Sequence, residues 1–177
     1  MGPIKYIIFV LLTPMMTSAQ TVHVDSERIV YKGTVRLDAV NKDELFARAK
    51  YVFSSHTTGD KKLIITDSNE KEMIIAKGTM RLASPYSIIS TVEYIFELSP
   101  DEGGFKYRID SVYIKETERG GKTNKISSEE LLKGMDMSGS VAAATEKKLN
   151  EIDMKFEKII DLVITAMKKP PVLKNQQ

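Results

Sequence analysis

The sequence predicts an α+β fold in two layers: a five-stranded, mostly antiparallel sheet with helices on one face, in the order β-α-β-β-β-β-α. Three observations carry this expectation. Apolar residues alternate with polar ones in several separate segments, which is the period of a strand with one buried face. Two other segments space their apolar residues as a helix with a single apolar side does. The connectors between the four consecutive strands are short enough for antiparallel pairing.

The first strand is read from Ile29, Tyr31, Gly33, Val35 and Leu37, which alternate with Arg28, Lys32, Thr34 and Arg36. Asn41-Lys-Asp-Glu44 then has the form of a helix N-cap with an acidic residue three positions on. Leu45, Phe46, Ala49, Val52 and Phe53 share one side of the helix that follows, which ends before Thr57-Thr58-Gly59. Leu63 to Thr66 is a short strand, and Asp67 to Glu70 a turn. Glu72 to Leu82 is the next strand, broken by Ser84-Pro85.

Ile88 to Leu98 is a further strand, with Val92, Tyr94, Phe96 and Leu98 on one face. Pro100 and Gly103-Gly104 predict a tight reversal. Phe105, Tyr107 and Ile109 continue the alternation, but Val112 and Ile114 are out of phase with them. One extra residue near Asp110-Ser111 restores the phase, so a β-bulge is expected there. Thr117 to Ile126 reads as a polar loop, and Ser127-Ser-Glu-Glu130 as the cap of a short helix carrying Leu131 and Leu132. Gly134 to Gly139 is a joint. Leu149, Ile152, Phe156, Ile159, Ile160, Val163 and Met167 then mark a long amphipathic helix.

The ends suggest an address. Lys5, the apolar run Tyr6 to Leu12 and the small residues Thr17-Ser18-Ala19 have the anatomy of a secretory signal peptide, with cleavage expected after Ala19. The run is too short to span a bilayer, which takes about 20 apolar residues. The expected division is a signal peptide over 1–19, a polar leader over 20–27, one domain over 28–168 and a tail over 169–177. Export to the periplasm or the medium follows, with no transmembrane anchor after cleavage. Lys5 is the single charged residue of 1–19, so the formal charge of +2 falls to +1 in the mature chain. A near-neutral chain exerts no long-range pull on nucleic acid. With no Cys, neither disulfides nor thiolates are available.

The hexapeptide KGT-x-RL occurs twice, at Lys32–Leu37 and Lys77–Leu82. A phosphate cradle needs glycines at a strand-to-helix turn with free N–H groups. By parity Gly33 and Gly78 lie inside strands on the helix-facing side, where a missing side chain admits a large neighbour such as Phe53 or Phe156. The partner residues Lys32, Thr34, Arg36, Lys77, Thr79 and Arg81 point the other way. Together with Glu93, Glu97, Lys106 and Arg108 they would make an open sheet face of mixed charge, with Ile75 and Ile95 among the charges. Such a face is either solvated and laced with cross-strand pairs or a docking surface. The candidate binding face is Lys32, Arg36, Lys77, Arg81, Glu93, Glu97 and Arg108.

The segments NKDELFARAKYVFSS, EMIIAKGTMRL and FKYRIDSVYI resemble an exported bacterial domain of unknown function with a TATA-binding-protein-like (TBP-like) fold. The matching positions are Lys42 to Leu45, Gly78-Thr79 and Lys106 to Arg108, and the resemblance covers Arg28 to Ile114. Tyr51-Val-Phe53 departs from it, since family members often carry a Trp there and this chain has none. The resemblance implies the fold and no activity. It does not imply DNA binding: a DNA saddle needs a strongly positive face with apolar wedges, and Glu93 and Glu97 interrupt this one.

Catalytic sets are sparse. The histidines are His23 and His56, one in the leader and one after the first helix, and neither Gly-x-Ser-x-Gly nor His-Glu-x-x-His occurs. Carboxylates are plentiful, but Asp161 alone stands in an apolar stretch, and it is expected to face water. The sequence therefore points to a non-catalytic docking module for a protein, peptide or glycan of the bacterial envelope, with no cofactor, no metal and no nucleic acid. The alternatives are a small-ligand or lipid carrier using the space between sheet and helices, and a carboxylate-dependent hydrolase.

Overall fold

All strands join one sheet in the computed structural model, which describes residues 20–25, 28–37, 40–55, 66–68, 73–85 and 87–169. In chain order the elements are β1 (Gln20–Asp25), β2 (Arg28–Arg36), α1 (Lys42–Ser55), β3 (Thr66–Ser68), β4 (Met73–Leu82), β5 (Ile88–Asp101), β6 (Gly104–Glu118), β7 (Thr123–Ser127), α2 (Ser128–Lys133) and α3 (Ser140–Met167). The sheet order is β1-β2-β6-β5-β4-β3, with β7 also pairing β6, and each pair is antiparallel. The expected α+β architecture is therefore present, enlarged by two strands. The signal peptide, Leu63 to Ile65, His56 and the tail from Pro170 onward lie outside the described residues.

Three local readings are corrected. The leader pairs with β2 as β1, from Gln20↔Gly33 to Asp25↔Arg28. Thr123 to Ile126, read as loop, belongs to β7 and pairs with β6 beyond the reach of β2. Asp67 and Ser68, read as turn, are strand residues paired with Ile74 and Met73. In each case backbone pairing to an available strand edge overrides side-chain polarity.

The capping signals hold. Asn41 Oδ1 accepts from the Glu44 N–H at 2.8 Å. Ser127 and Glu130 form a full capping box, with the Glu130 N–H to Ser127 Oγ at 3.2 Å and the Ser127 N–H to Glu130 Oε2 at 2.8 Å. The bulge also holds. Glu93 pairs with Tyr113 and Ile95 with Asp110, so Tyr94 stands opposite both Ser111 and Val112. Ser111 carries the extra residue in a left-handed conformation, φ 52°.

The buried face of the sheet and the apolar sides of α1 and α3 form one core. Its centre is aromatic. The Phe156 ring of α3 lies 4.9 Å from Tyr31 and 5.0 Å from Tyr94, centroid to centroid, and Phe53 of α1 lies 5.2 Å from Phe96. Fully burying a side chain of this size contributes roughly 2–3 kcal/mol.

The repeated hexapeptide is a packing device of a more specific kind than expected. Gly33 pairs with Tyr107 and Gly78 with Tyr94. Each tyrosine folds its ring across the glycine opposite. A Cβ on Gly33 would sit 2.5 Å from Tyr107 Oη, and one on Gly78 would collide with the Tyr94 ring. The large neighbour is thus a cross-strand tyrosine in both copies. These rings occupy the space above the two glycines, between sheet and helices.

Candidate functional site

The second face of the sheet lies outside the core cluster; at its β2 end Val30 is buried and Arg28 reaches Glu129 of α2 at 3.8 Å. The register aligns the side chains of this face into rungs across β2, β6, β5 and β4. Lys32, Arg108, Glu97 and Ile75 form one rung. Asp110, Ile95 and Lys77 form the next, and Tyr113, Glu93 and Thr79 the one after. Lys32, Lys77 and Arg108 are exposed, whereas Glu93, Glu97, Ile75 and Ile95 are half-buried.

Of the residues named from sequence, five come together here: Lys32, Arg108, Glu97, Lys77 and Glu93. Arg36 and Arg81 do not. Arg36 stands level with Asp101 of β5 through Gly104, and Arg81 stands level with Thr91. Those two β5 positions are separated by ten residues, roughly 33 Å at ~3.3 Å per residue. The cause is topological. β2 and β4 are separated by two antiparallel neighbours and so run in opposite directions, which sends the final Arg of each hexapeptide to opposite ends of the sheet.

The electrostatics of the face are only partly paired internally. Arg108 Nε meets Asp110 Oδ2 at 2.7 Å along its own strand, and Lys106 Nζ lies 3.9 Å from Asp101. Lys32, Lys77, Glu93 and Glu97 have no ion pair among the described residues. The ladder of cross-strand pairs that would neutralise a merely solvated face is therefore mostly absent. Tyr113 is the aromatic ring of this face, and Lys125 Nζ covers it at 4.0 Å from the centroid.

A second concavity lies at the β4 side of the sheet, where α3 passes the end of that strand. Glu151 accepts the Ala83 N–H through both carboxylate oxygens, at 2.9 and 3.1 Å. Asp161 is exposed, on the water side of α3. Among the described residues no group of three or more His, Asp or Glu is placed to hold a metal ion, and no helix is long and apolar enough to cross a membrane.

Sequence reasoning missed Arg48. Its side chain is buried in the α1–α3 junction, with Nη1 2.7 Å from the Met167 carbonyl oxygen and Nε 3.1 Å from Glu44 Oε1. The signal was present: Arg48 falls between Leu45 and Val52 on the apolar stripe, where a cation needs a buried partner.

Residues 31–115 match the family described as domain of unknown function (DUF4468) with TBP-like fold. No curated protein matches the chain. Among solved structures, a TBP-like protein from Parabacteroides distasonis ATCC 8503 superposes with a TM-score of 0.67 at 13% identity, over 85% of this chain and 99% of that one. A DUF4468 family protein from Bacteroides ovatus ATCC 8483 gives 0.59 at 13% identity, over 89% of this chain and 95% of that one. At such identity the likeness concerns the fold, and it agrees with the strands and helices described above. Over residues 31–115 the chain thus resembles the DUF4468 family, and it shares the TBP-like fold of these structures.

Proposed function

We propose that this chain is an exported, non-catalytic module whose open sheet face docks a folded protein of the bacterial envelope. The observation that carries the reading is the state of the central rungs. Among the described residues Lys32, Lys77, Glu93 and Glu97 have no ion pair around Ile75 and Ile95, so apolar contact and both signs of charge are offered together. Uncommitted charges set the orientation of a partner, and the isoleucines supply contact area. A glycan is the weaker fit, because sugar-binding faces stack on open aromatic rings and Tyr113 is covered by Lys125. The apolar run Tyr6 to Leu12 and the small residues before Gln20 support export.

A photo-crosslinking residue at Ile75, introduced in the producing cell, tests this reading. One discrete crosslinked protein is expected, and its yield should collapse when Glu93 and Glu97 are both changed to Lys. The same probe at Met154 on the helix layer should not trap it. A yield from Ile75 that ignores the charge reversal, or equal trapping from both positions, removes the face from consideration.

A further inference from the structure

The groove between β4 and α3 adjoins one end of the docking face, with Thr79 in both, and has a chemistry of its own. It is a shallow groove open to solvent, with a volume of about 530 Å3, within the size range of small-molecule sites. Its apolar wall is Met80, Ile89 and Ile159, and its cations are Arg81, Lys155 and Lys158. Glu151 engages Lys155 at 3.5 Å while also accepting the Ala83 N–H. Arg81 and Lys158 have no ion pair among the described residues. Ile89, 53% exposed, is a β-branched residue left in water beside them.

We propose that this groove binds a small anionic amphiphile, with a carboxylate or phosphate-monoester head on Arg81 and Lys158 and a single alkyl or acyl tail on Met80, Ile89 and Ile159. The two halves of the lining require the two halves of the ligand. A bare anion would leave the isoleucines in water, and a neutral hydrocarbon would leave the cations unpaired. The guanidinium of Arg81 offers a forked donor set that suits both carboxylate and phosphate oxygens. The groove opens at the edge of the layer interface, where Met80 and Ile159 pack against the core, so the ligand enters from solvent.

The test is titration of the full chain, methyl-labelled at Ile and Met, with decanoate and with decyl phosphate below their micellar concentrations. Saturable shifts at Ile89, Ile159 and Met80 are expected. The tighter of the two probes identifies the head group. Decanol and inorganic phosphate should each bind at least tenfold more weakly. Arg81→Gln with Lys158→Gln should cost at least tenfold in affinity, and Lys122→Gln at the exposed β6–β7 turn should cost nothing. Equal binding of decanol, shifts confined to other methyls, or binding to anionic vesicles without binding of monomeric decanoate would each overturn the assignment. So would tighter occupancy of the same methyls by a polyglutamate peptide. Failure of the crosslinking experiment at Ile75 leaves this titration untouched, so the two readings fail separately.

Discussion

The guanidinium of Arg48 donates through Nη1 to the carbonyl oxygen of Met167 at 2.7 Å, joining the middle of α1 to the last residue of α3 across 119 positions of sequence. The closing carbonyls of a helix have no partners within it, and a cation there also meets the negative end of the helix dipole. Glu44, one turn earlier on α1, holds the guanidinium from the other side. Replacing Arg48 with Met keeps the bulk and strands the Met167 carbonyl. Loss of roughly 2–4 kcal/mol is expected in urea unfolding, the scale of breaking a buried charged hydrogen bond. Arg48→Lys should fall between, because an ammonium cannot reach both partners as a fork does.

The two glycine–tyrosine pairs predict a coupling. Gly78→Ala drives a methyl into the Tyr94 ring, so a loss of about 1–3 kcal/mol is expected from overpacking. Tyr94→Leu alone opens a void beside Phe156 and is also destabilising. The double variant should be more stable than the sum of the two losses by at least ~1 kcal/mol, because the added methyl then enters the space the ring vacates. Additive losses would mean that the ring does not set the requirement for glycine.

The elements that could be read from the sequence are those whose side chains carry a period. Val92 to Leu98 and Leu149 to Met167 announce their buried faces, and the phase slip after Ile109 marks the bulge that Ser111 provides. β7 carries no such signal. Its first three residues are exposed, and backbone bonds to β6 hold it, helped by the Thr117–Thr123 hydroxyl contact at 3.2 Å. Of the candidate face, parity identified which residues point away from the core but not which stand level with one another. That depends on register and strand direction, and these separate Arg36 and Arg81 although both end the same hexapeptide. The groove beside β4 was hidden for the same reason, since it pairs Arg81 and Ile89 with α3 residues more than sixty positions away.

Ser111 offers a clean test of the bulge. It is exposed and holds a left-handed φ of 52°, which costs an L-residue roughly 1–2 kcal/mol and glycine almost nothing. Ser111→Gly is therefore expected to be neutral or to raise stability by up to ~1 kcal/mol, part of the relief being offset by the added freedom of the unfolded chain. Ser111→Val should lose about 1–2 kcal/mol, since a β-branched residue is least tolerant of this region. Thermal unfolding of the three proteins checks the order Gly ≥ Ser > Val.

Alkaline pH should unfold the protein through its core tyrosines. Burial pushes the Tyr94 phenol up to about 12 from its ordinary 10.0. Tyr31 is raised as well, by burial first and then by the Asp153 carboxylate, and Tyr107 by burial and Asp161. In each case the folded state holds the proton more tightly than the unfolded chain. The contribution is fully present below pH 10 and is lost as pH climbs from there towards the folded value, because the unfolded chain ionises first. For Tyr94 the loss approaches ~3 kcal/mol by pH 12, at about 1.4 kcal/mol per unit. Unfolding free energy measured from pH 8 to 11.5 should stay flat and then fall with a knee near pH 10. Tyr94→Phe, which keeps the ring over Gly78, should show a shallower fall beyond the knee. An unchanged slope in that variant would place the alkaline sensitivity elsewhere than in the ring that covers the glycine.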